Sequence, residues 1–102
     1  MHVDRWTFLT NHAHVLLSIA ADPEIRLRDL AAQVGITERS AQSIVSDLIA
    51  EGYVTVRKIG RRNHYKVHAE LPFRHPLQKH QQVKLLLRTL RGRKATAGPD
   101  PV

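Results

Sequence analysis

Apolar residues recur at helical spacing in the first part of the chain. From about Thr10 to Ala21 they fall three or four residues apart, which predicts a helix with one buried face. Thr10 or Asn11 can cap this first helix, and Asp22-Pro23 ends it, because proline disfavours helical backbone in the preceding residue. The residues of its apolar face are Ala13, Leu16, Leu17 and Ala20.

A short helix, a glycine turn and a longer helix come next. The second helix is predicted from about Arg28 to Val34, and Gly35 follows where a helix end adopts positive φ, which glycine does at least cost. The third helix is predicted from Glu38 to about Glu51, with Thr37 as its N-cap and Gly52 as its terminating glycine. Its apolar face consists of Ala41, Ile44, Val45, Leu48 and Ile49.

Alternation of apolar and polar residues then predicts a β-hairpin. Its strands run from Tyr53 to Lys58 and from His64 to Val67, and its turn forms around Gly60-Arg61-Arg62-Asn63. The alternation indicates that one face of each strand is buried. We also expect the segment Ile25 to Leu27 to add a short strand beside this hairpin.

The chain ends in a connector, a last helix and a polar tail. Residues 68–75 form the connector, and the last helix is predicted from Pro76, which is tolerated in a first turn, to about Arg91. Residues 1–91 are expected to form one domain. Residues 92–102 are small, polar and contain proline, so we expect them to be disordered. The apolar stripe of the last helix is Val83, Leu86, Leu87 and Leu90.

Charge is distributed unevenly along the chain. The net charge is +7, yet residues 1–52 contain four basic and seven acidic residues, whereas residues 53–102 contain twelve basic and two acidic residues. The positive charge therefore belongs to the hairpin and the C-terminal segment. A one-sided field of this kind steers partners that carry phosphate.

Composition argues against several classes of protein. The chain has no cysteine, which excludes disulfides and thiolate chemistry and fits a cytoplasmic protein. We see neither a signal peptide nor a run of about 20 apolar residues. There are no paired carboxylates, no assignable Ser–His–acid set and no glycine-rich phosphate loop, so we expect no enzymatic activity. No predicted helix carries two histidines at i, i+4 spacing, so we expect neither a metal nor another cofactor.

In residues 27–67 the chain resembles the winged helix-turn-helix transcriptional regulators of the MarR-like and ArsR-like kind. The matching residues read LRDLAAQVGIT, then SAQSIVSDLIAEGYV, then IGRRNHY. The resemblance implies an α+β, mainly α, fold with a β-hairpin wing and flanking N- and C-terminal helices. It also implies a sequence-specific regulator, bacterial or archaeal, that binds double-stranded DNA. Some ArsR-like proteins bind metal through terminal helices, where Glu70, His75 and His80 would be the candidates here, but the lack of cysteine argues against it.

The resemblance makes the third helix a recognition helix for the major groove and places the wing on the DNA backbone or in the minor groove. Arg39 can bond both acceptors of a guanine edge, and Gln42 can bond adenine in the same way. The expected recognition-helix contacts are Thr37, Arg39, Ser40, Gln42, Ser43 and Ser46. The expected wing contacts are Lys58, Arg61, Arg62, Asn63 and His64.

Other interpretations of these surfaces stay open. A polar helix face and a basic loop also occur as merely solvated surfaces, although a solvated helix face usually carries more Glu and Lys than this run of Ser and Gln. A different class of function is a winged-helix interaction module that binds RNA or another protein, since the basic half of the chain suits either nucleic acid. Asp47 departs from the basic surface, and we expect it to pair with Arg57 or another wing arginine.

We expect a homodimer. The helix-turn-helix core has limited room for the last helix, and an exposed apolar stripe on that helix would mark an interface. The aromatic residues near the N-terminus are its apolar partners, from the same or the opposite subunit. The expected interface residues are Trp6, Phe8, Leu9, Val83, Leu86, Leu87 and Leu90. The alternative is a monomer in which the last helix covers the first. The sequence identifies no small-molecule effector.

Overall fold

Four helices and one β-hairpin make up residues 6–90, the part of the chain that the structure, a computed structural model, describes. In chain order the elements are α1 (Asn11–Ala21), α2 (Leu27–Val34), α3 (Glu38–Ala50), β1 (Val54–Ile59), β2 (Arg62–Val67) and α4 (Val83–Thr89). The strands pair in one antiparallel sheet. This is the mainly helical winged helix-turn-helix fold that the sequence predicts. The disorder predicted for residues 92–102 concerns a segment outside the described residues.

The core lies where α1, α2 and α3 pack against one another and against the base of the hairpin. Its largest fully buried side chains are Val15, Ile19, Leu30 and Val54. Burying such a side chain contributes roughly 1.5–3 kcal/mol relative to leaving it exposed. Because Val54 begins β1, this packing holds the base of the wing close to the end of α3. Ile49, predicted on the buried face of α3, is instead exposed.

The turn between α2 and α3 forms as its local sequence predicts. Gly35 has φ +86°, and its N–H donates to the Ala31 carbonyl at 2.8 Å. Glycine has no Cβ, so this left-handed conformation costs it little. Thr37 then caps α3, because its Oγ1 accepts a hydrogen bond from the Ser40 N–H at 3.0 Å. The exposed face of α3 is thereby fixed relative to the core.

The strand predicted from Ile25 to Leu27 is wrong. Pro23 has no N–H, and the Ile25 N–H donates to the Asp22 carbonyl at 3.0 Å, so neither residue offers a donor to the hairpin. Leu27 is already the first residue of α2. The loop nevertheless contacts the wing, where the Tyr65 N–H donates to the Pro23 carbonyl at 2.8 Å.

The turn of the wing is shorter than predicted. The strands stay paired as far as Ile59 opposite Arg62, so Gly60 and Arg61 alone connect them. Gly60 has φ +64°, the conformation that two-residue hairpin turns require and that glycine supplies. Arg62 and Asn63, which were predicted as turn residues, therefore belong to β2.

The core covers the base of the wing and Tyr65 of β2, but not the exposed side chains of β1 beyond Val54. Val54 is buried and Val67 half-buried, whereas Val56 and Ile59 are exposed. The alternating pattern of β1 therefore predicted a strand correctly but overestimated how much of it is buried. The residues of the tip, from Lys58 to Arg62, are exposed and therefore accessible to a partner.

The last helix is shorter than predicted, because α4 begins at Val83 rather than at Pro76. Leu77 is the one large apolar residue of the segment 76–82 and is 70% exposed, so a helix there would have no apolar face to bury. The segment forms turns instead. The chain then returns to the core, where the Val83 N–H donates to the Leu71 carbonyl at 2.8 Å.

Tyr53 ties the base of the wing to the connector. Its hydroxyl donates to the Pro72 carbonyl, and its own carbonyl accepts from the His68 N–H. Burial raises the pKa of the Tyr53 phenol above its ordinary value, while the charge of Arg74 lowers that pKa and the charge of Glu51 raises it further. A tyrosine phenol is protonated at neutral pH even without this shift, so the hydroxyl can donate to Pro72.

Candidate nucleic-acid interface

An open cleft of about 540 Å³ lies between α3, the wing and the start of α2. Its sides are formed by long polar and basic side chains: Arg26, Gln42, Lys58, Arg61, Arg62 and Asn63. Its apolar lining comes from Ile25, Leu27 and Tyr65. The fold thus places one residue of the polar face of α3 opposite the basic residues of the wing, which lie at least 16 positions away in the chain.

The cleft is electropositive. Four cationic side chains line it, namely Arg26, Lys58, Arg61 and Arg62, and among residues 6–90 no carboxylate does. Like charges held close together repel one another unless an anion neutralises them. The arrangement therefore suits a phosphate or another polyanionic group.

The two arginines near the tip of the wing differ in their contacts. The Nε of Arg62 donates to the backbone carbonyl of Glu24 at 3.1 Å, which fastens β2 to the loop between α1 and α2. Within residues 6–90, Arg61 makes no hydrogen bond or ion pair to another side chain or to the backbone through its guanidinium. Arg61 can thus bind a partner without breaking an internal hydrogen bond, whereas Arg62 has a structural role as well.

The outer face of α3 is polar and exposed from Arg39 to Ser46. Arg39, Ser40, Gln42, Ser43 and Ser46 are all exposed. Ser and Gln side chains are short enough to let a helix approach a base edge closely, and they both donate and accept hydrogen bonds. These side chains are therefore accessible to a ligand.

Thr37 and Ser40 form a local pair at the start of α3. Thr37 Oγ1 accepts from the Ser40 N–H and also donates to Ser40 Oγ, each at 3.0 Å. The Thr37 hydroxyl is thus engaged as a cap, whereas the Ser40 hydroxyl keeps its own proton for another acceptor. Of the two, Ser40 is the better placed to donate to a ligand.

Gln42 is oriented by a neighbour one helical turn away. Its Nε2 donates to Ser46 Oγ at 3.3 Å. An amide nitrogen has two hydrogens, so Gln42 retains one donor together with its carbonyl acceptor. Those two groups are the pair that an adenine edge binds in the major groove.

The predicted site residues are only partly brought together. Gln42 of α3 and Lys58, Arg61, Arg62 and Asn63 of the wing line one cleft. The other predicted residues of α3 lie on the helix outside that lining. His64 is half-buried with its Nδ1 3.7 Å from a carboxylate oxygen of Glu24, so it lies apart from the cleft.

Arg26 is a site residue that the sequence pattern did not reveal. It precedes α2, is exposed and lines the cleft beside the wing arginines. The wrong strand prediction for Ile25 to Leu27 hid it. The sequence did contain one signal for it, a basic residue directly before an amphipathic helix. The helix dipole makes that end of the helix positive, so the arginine and the helix end both attract an anion.

The predicted partner of Asp47 is wrong. Its Oδ2 lies 2.8 Å from Nε2 of His12 in α1, and not beside Arg57. The reason is the position of Asp47 on the third helical turn of α3, where the helix packs beside α1. This pair links α1 to the recognition-helix candidate.

The residues predicted for a dimer interface fall into two groups. Val83 is 3% exposed and Leu87 packs against the core, so the idea of one continuous exposed stripe on α4 is wrong. The core has room for α4 because the short helix returns beside the connector. Leu87 is half-buried in its contact with the core, and the other five predicted interface residues are exposed or half-buried outside the core cluster: Trp6, Phe8, Leu9, Leu86 and Leu90.

Residues 6–90 contain no group of three or more His, Asp and Glu side chains that could hold a metal ion. Glu70 lies 3.9 Å from Nδ1 of His68, and His75 accepts a hydrogen bond from the Leu77 N–H. The three residues considered as metal ligands are thus not assembled into a set. Among residues 6–90, none of the helices combines the length and the apolar composition that spanning a bilayer requires.

Comparison with known proteins agrees with the fold. Residues 10–55 match the family model described as winged helix-turn-helix DNA-binding, from the cap of α1 into β1. The match covers a little less than half of the chain. No curated protein is significantly similar to the sequence. The match and the observed elements together support a DNA-binding regulator with a winged helix-turn-helix fold.

Proposed function

We propose that this chain is a sequence-specific regulator that binds double-stranded DNA, of the MarR-like or ArsR-like kind. The observation that carries the proposal is the cleft in which Gln42 of α3 faces Lys58 and Arg61 of the wing. A helix and a basic hairpin in this arrangement suit a duplex, because the helix can enter the major groove while the hairpin follows the adjacent backbone.

In this proposal α3 reads bases through Arg39 and Gln42. A guanidinium bonds both acceptors of guanine, and an amide bonds the donor and acceptor of adenine. The hydroxyls of Ser40, Ser43 and Ser46 bond flanking phosphates or base edges. Thr37 contributes mainly by capping the helix that presents them.

The wing supplies affinity that does not depend on sequence. Lys58, Arg61 and Arg62 neutralise phosphates of the strand that enters the cleft, or reach into the minor groove beside it. Arg26 contacts the same strand from the start of α2. Asn63 adds an uncharged donor, and His64, on the far side of the hairpin, acts only at the margin of this contact.

The regulator acts in the cytoplasm as a homodimer, without enzymatic activity and without a cofactor. Two recognition helices related by a two-fold axis reach half-sites about 34 Å apart, and binding both at once raises the affinity. A single domain, expected over residues 1–91, makes both contacts, to DNA and to the second copy.

The second candidate is a winged-helix module that binds RNA. The observation that favours it is the same electropositive cleft, since phosphate attracts cations in either polymer. The deep, narrow major groove of duplex RNA does not admit side chains, whereas that of duplex DNA admits a helix. A protein-docking module is less well supported, because the outer face of α3 is polar except for Ile49.

A competition assay separates the candidates. A fluorescent DNA duplex bound to the full chain is challenged with unlabelled duplex DNA, duplex RNA and single strands of the same sequence and length. We expect duplex DNA to compete at least about 10-fold better than either alternative at physiological salt. Equal or stronger competition by RNA would contradict the proposal and favour the second candidate.

A further inference from the structure

A second concavity, of about 240 Å³, lies on another side of the domain, between α1, α3, α4 and the connector. Its floor is apolar and consists of Ala13, Leu16, Leu48, Phe73, Val83 and Leu86. We call it the apolar groove. None of the residues proposed to contact DNA lines it.

The polar groups at the rim of the apolar groove are already engaged. His12 pairs with Asp47 at 2.8 Å, and Arg74 lies 3.9 Å from the carboxylate of Glu51. The Tyr53 hydroxyl donates to a backbone carbonyl. Since a charged ligand would have to displace these partners, the groove is better suited to an apolar occupant without charge.

Two aromatic side chains near the N-terminus lack cover within residues 6–90. Trp6 is 69% exposed and Phe8 is 93% exposed. Their rings contact each other edge to face, with centroids 5.0 Å apart and planes at 85°. Aromatic residues supply much of the binding energy of protein interfaces when they are buried, so this exposed pair is a candidate anchor. It does not fill the groove of its own chain.

The pair and the groove are neighbours on the surface. Thr10 caps α1 by accepting from the Ala13 N–H at 3.1 Å, and both residues line the groove. Phe8 precedes Thr10 by two residues, a reach of at most about 7 Å in extended chain. A two-fold interface requires a protrusion and its complementary recess to share one surface patch, so that each copy fills the other.

We propose that Trp6 and Phe8 of one copy insert into the apolar groove of a second copy, and that the second copy reciprocates. The inference specifies the contact surface of the homodimer included in the proposed function, on which it rests. The occupied groove contains Leu48 of α3 and Leu86 of α4. By filling the groove, the second copy therefore holds the inner side of α3 against the domain to which this helix belongs. This contact fixes the position of the recognition helix in the dimer.

The full chain allows a direct test, because Trp6 is its only tryptophan. Trp6 emission and the sedimentation-derived mass are measured together over a concentration series without DNA. We expect the emission to shift to shorter wavelength over the same concentrations at which the mass doubles. Phe8→Ser and Leu86→Gln should each weaken dimerisation about 10-fold or more. Leu77→Ser, which removes a similarly exposed apolar residue outside the groove, should leave it unchanged.

Three outcomes would overturn the inference: a mass that stays at 11.6 kDa at every concentration, a dimer whose Trp6 emission does not shift, and a dimer insensitive to Phe8→Ser. Phe8 is almost fully exposed in the monomer, so this variant retains its fold even if Leu86→Gln does not. The proposed DNA binding is tested by a different experiment. It would be contradicted if the wild-type chain did not bind a DNA duplex, and no DNA is present in the dimerisation measurement.

Discussion

On the surfaces of α3 and the wing, some residues make hydrogen bonds within the domain, whereas their neighbours are accessible to a ligand. Thr37 and Arg62 make internal hydrogen bonds, to Ser40 and to the Glu24 carbonyl. Ser40 and Arg61 are exposed beside them. Neighbouring residues of similar chemistry should therefore respond differently to substitution, which allows the structural and the binding contributions to be measured apart.

Arg61→Ala and Arg62→Ala make such a comparison. Both variants should weaken DNA binding, but only Arg62→Ala should also lower the free energy of unfolding, by about 0.5–1.5 kcal/mol, because it removes the hydrogen bond to Glu24. Urea denaturation of the two variants measures this difference. Equal stability of both variants would mean that the Arg62 hydrogen bond does not fasten the wing in solution.

Arg39→Ala and Gln42→Ala test base reading. Each should cost about 1–3 kcal/mol on the preferred duplex and relax base preference at one position. Ser46→Ala should have a smaller effect than Gln42→Ala, because it removes one proposed DNA-contacting hydroxyl and the partner that orients the amide but leaves the amide itself in place. Fluorescence anisotropy on cognate and scrambled duplexes measures these effects. An equal decrease in affinity for both duplexes would contradict the reading role.

At the scale of elements, the glycine turn and the cap between α2 and α3 were predicted correctly. Gly35 and Thr37 define the turn between α2 and α3 because each acts through its own backbone conformation or a hydrogen bond three residues away. The winged helix-turn-helix order follows from such local signals and from apolar spacing. The exposed polar face of α3 was predictable for the same reason, since one face of a helix must pack on the core.

Features that depend on contacts between distant segments were not predictable in this way. Asp47 faces His12 because α1 and α3 pack side by side, which no local pattern encodes. The hydrogen bond from the Val83 N–H to the Leu71 carbonyl, which returns the chain to the core at the start of α4, joins two segments that no local pattern connects. The place of Arg26 in the cleft depends on where the hairpin folds back. Helical spacing predicts the elements, but their packing against one another decides the limits of the site.

The wing as an element should set the salt dependence of binding. Arg61→Ala combined with Arg62→Ala should weaken binding to all duplex sequences similarly. The same double variant should lower the slope of log affinity against log salt by about one unit for each phosphate that the wing no longer neutralises. Titrations at several salt concentrations measure the slope.

The matched control is Lys79→Gln combined with Lys84→Gln. It removes the same number of positive charges from exposed positions outside the cleft. We expect the control to leave the slope nearly unchanged. A slope that responds equally to both double variants would show that overall charge, and not the wing, determines binding.

For the whole molecule, the central proposal is a division into two surfaces. The electropositive cleft and the outer face of α3 meet DNA, while the apolar groove and the Trp6–Phe8 pair meet a second copy. Asp47 and Leu48 of α3 line the groove, and Gln42 lines the cleft, so one helix takes part in both surfaces. A dimer assembled in this way presents two recognition helices related by a two-fold axis.

The measurement that tests the central claim most directly is selection of bound sites from a pool of random DNA duplexes by the full chain at physiological salt. We expect enrichment of one motif with two inverted half-sites whose centres lie about 34 Å apart, or roughly 10 to 10.5 base pairs. Enrichment of a single half-site would support base reading by α3 but would contradict the proposed homodimer. A pool that is bound without enrichment of any motif would contradict the claim that α3 reads DNA sequence.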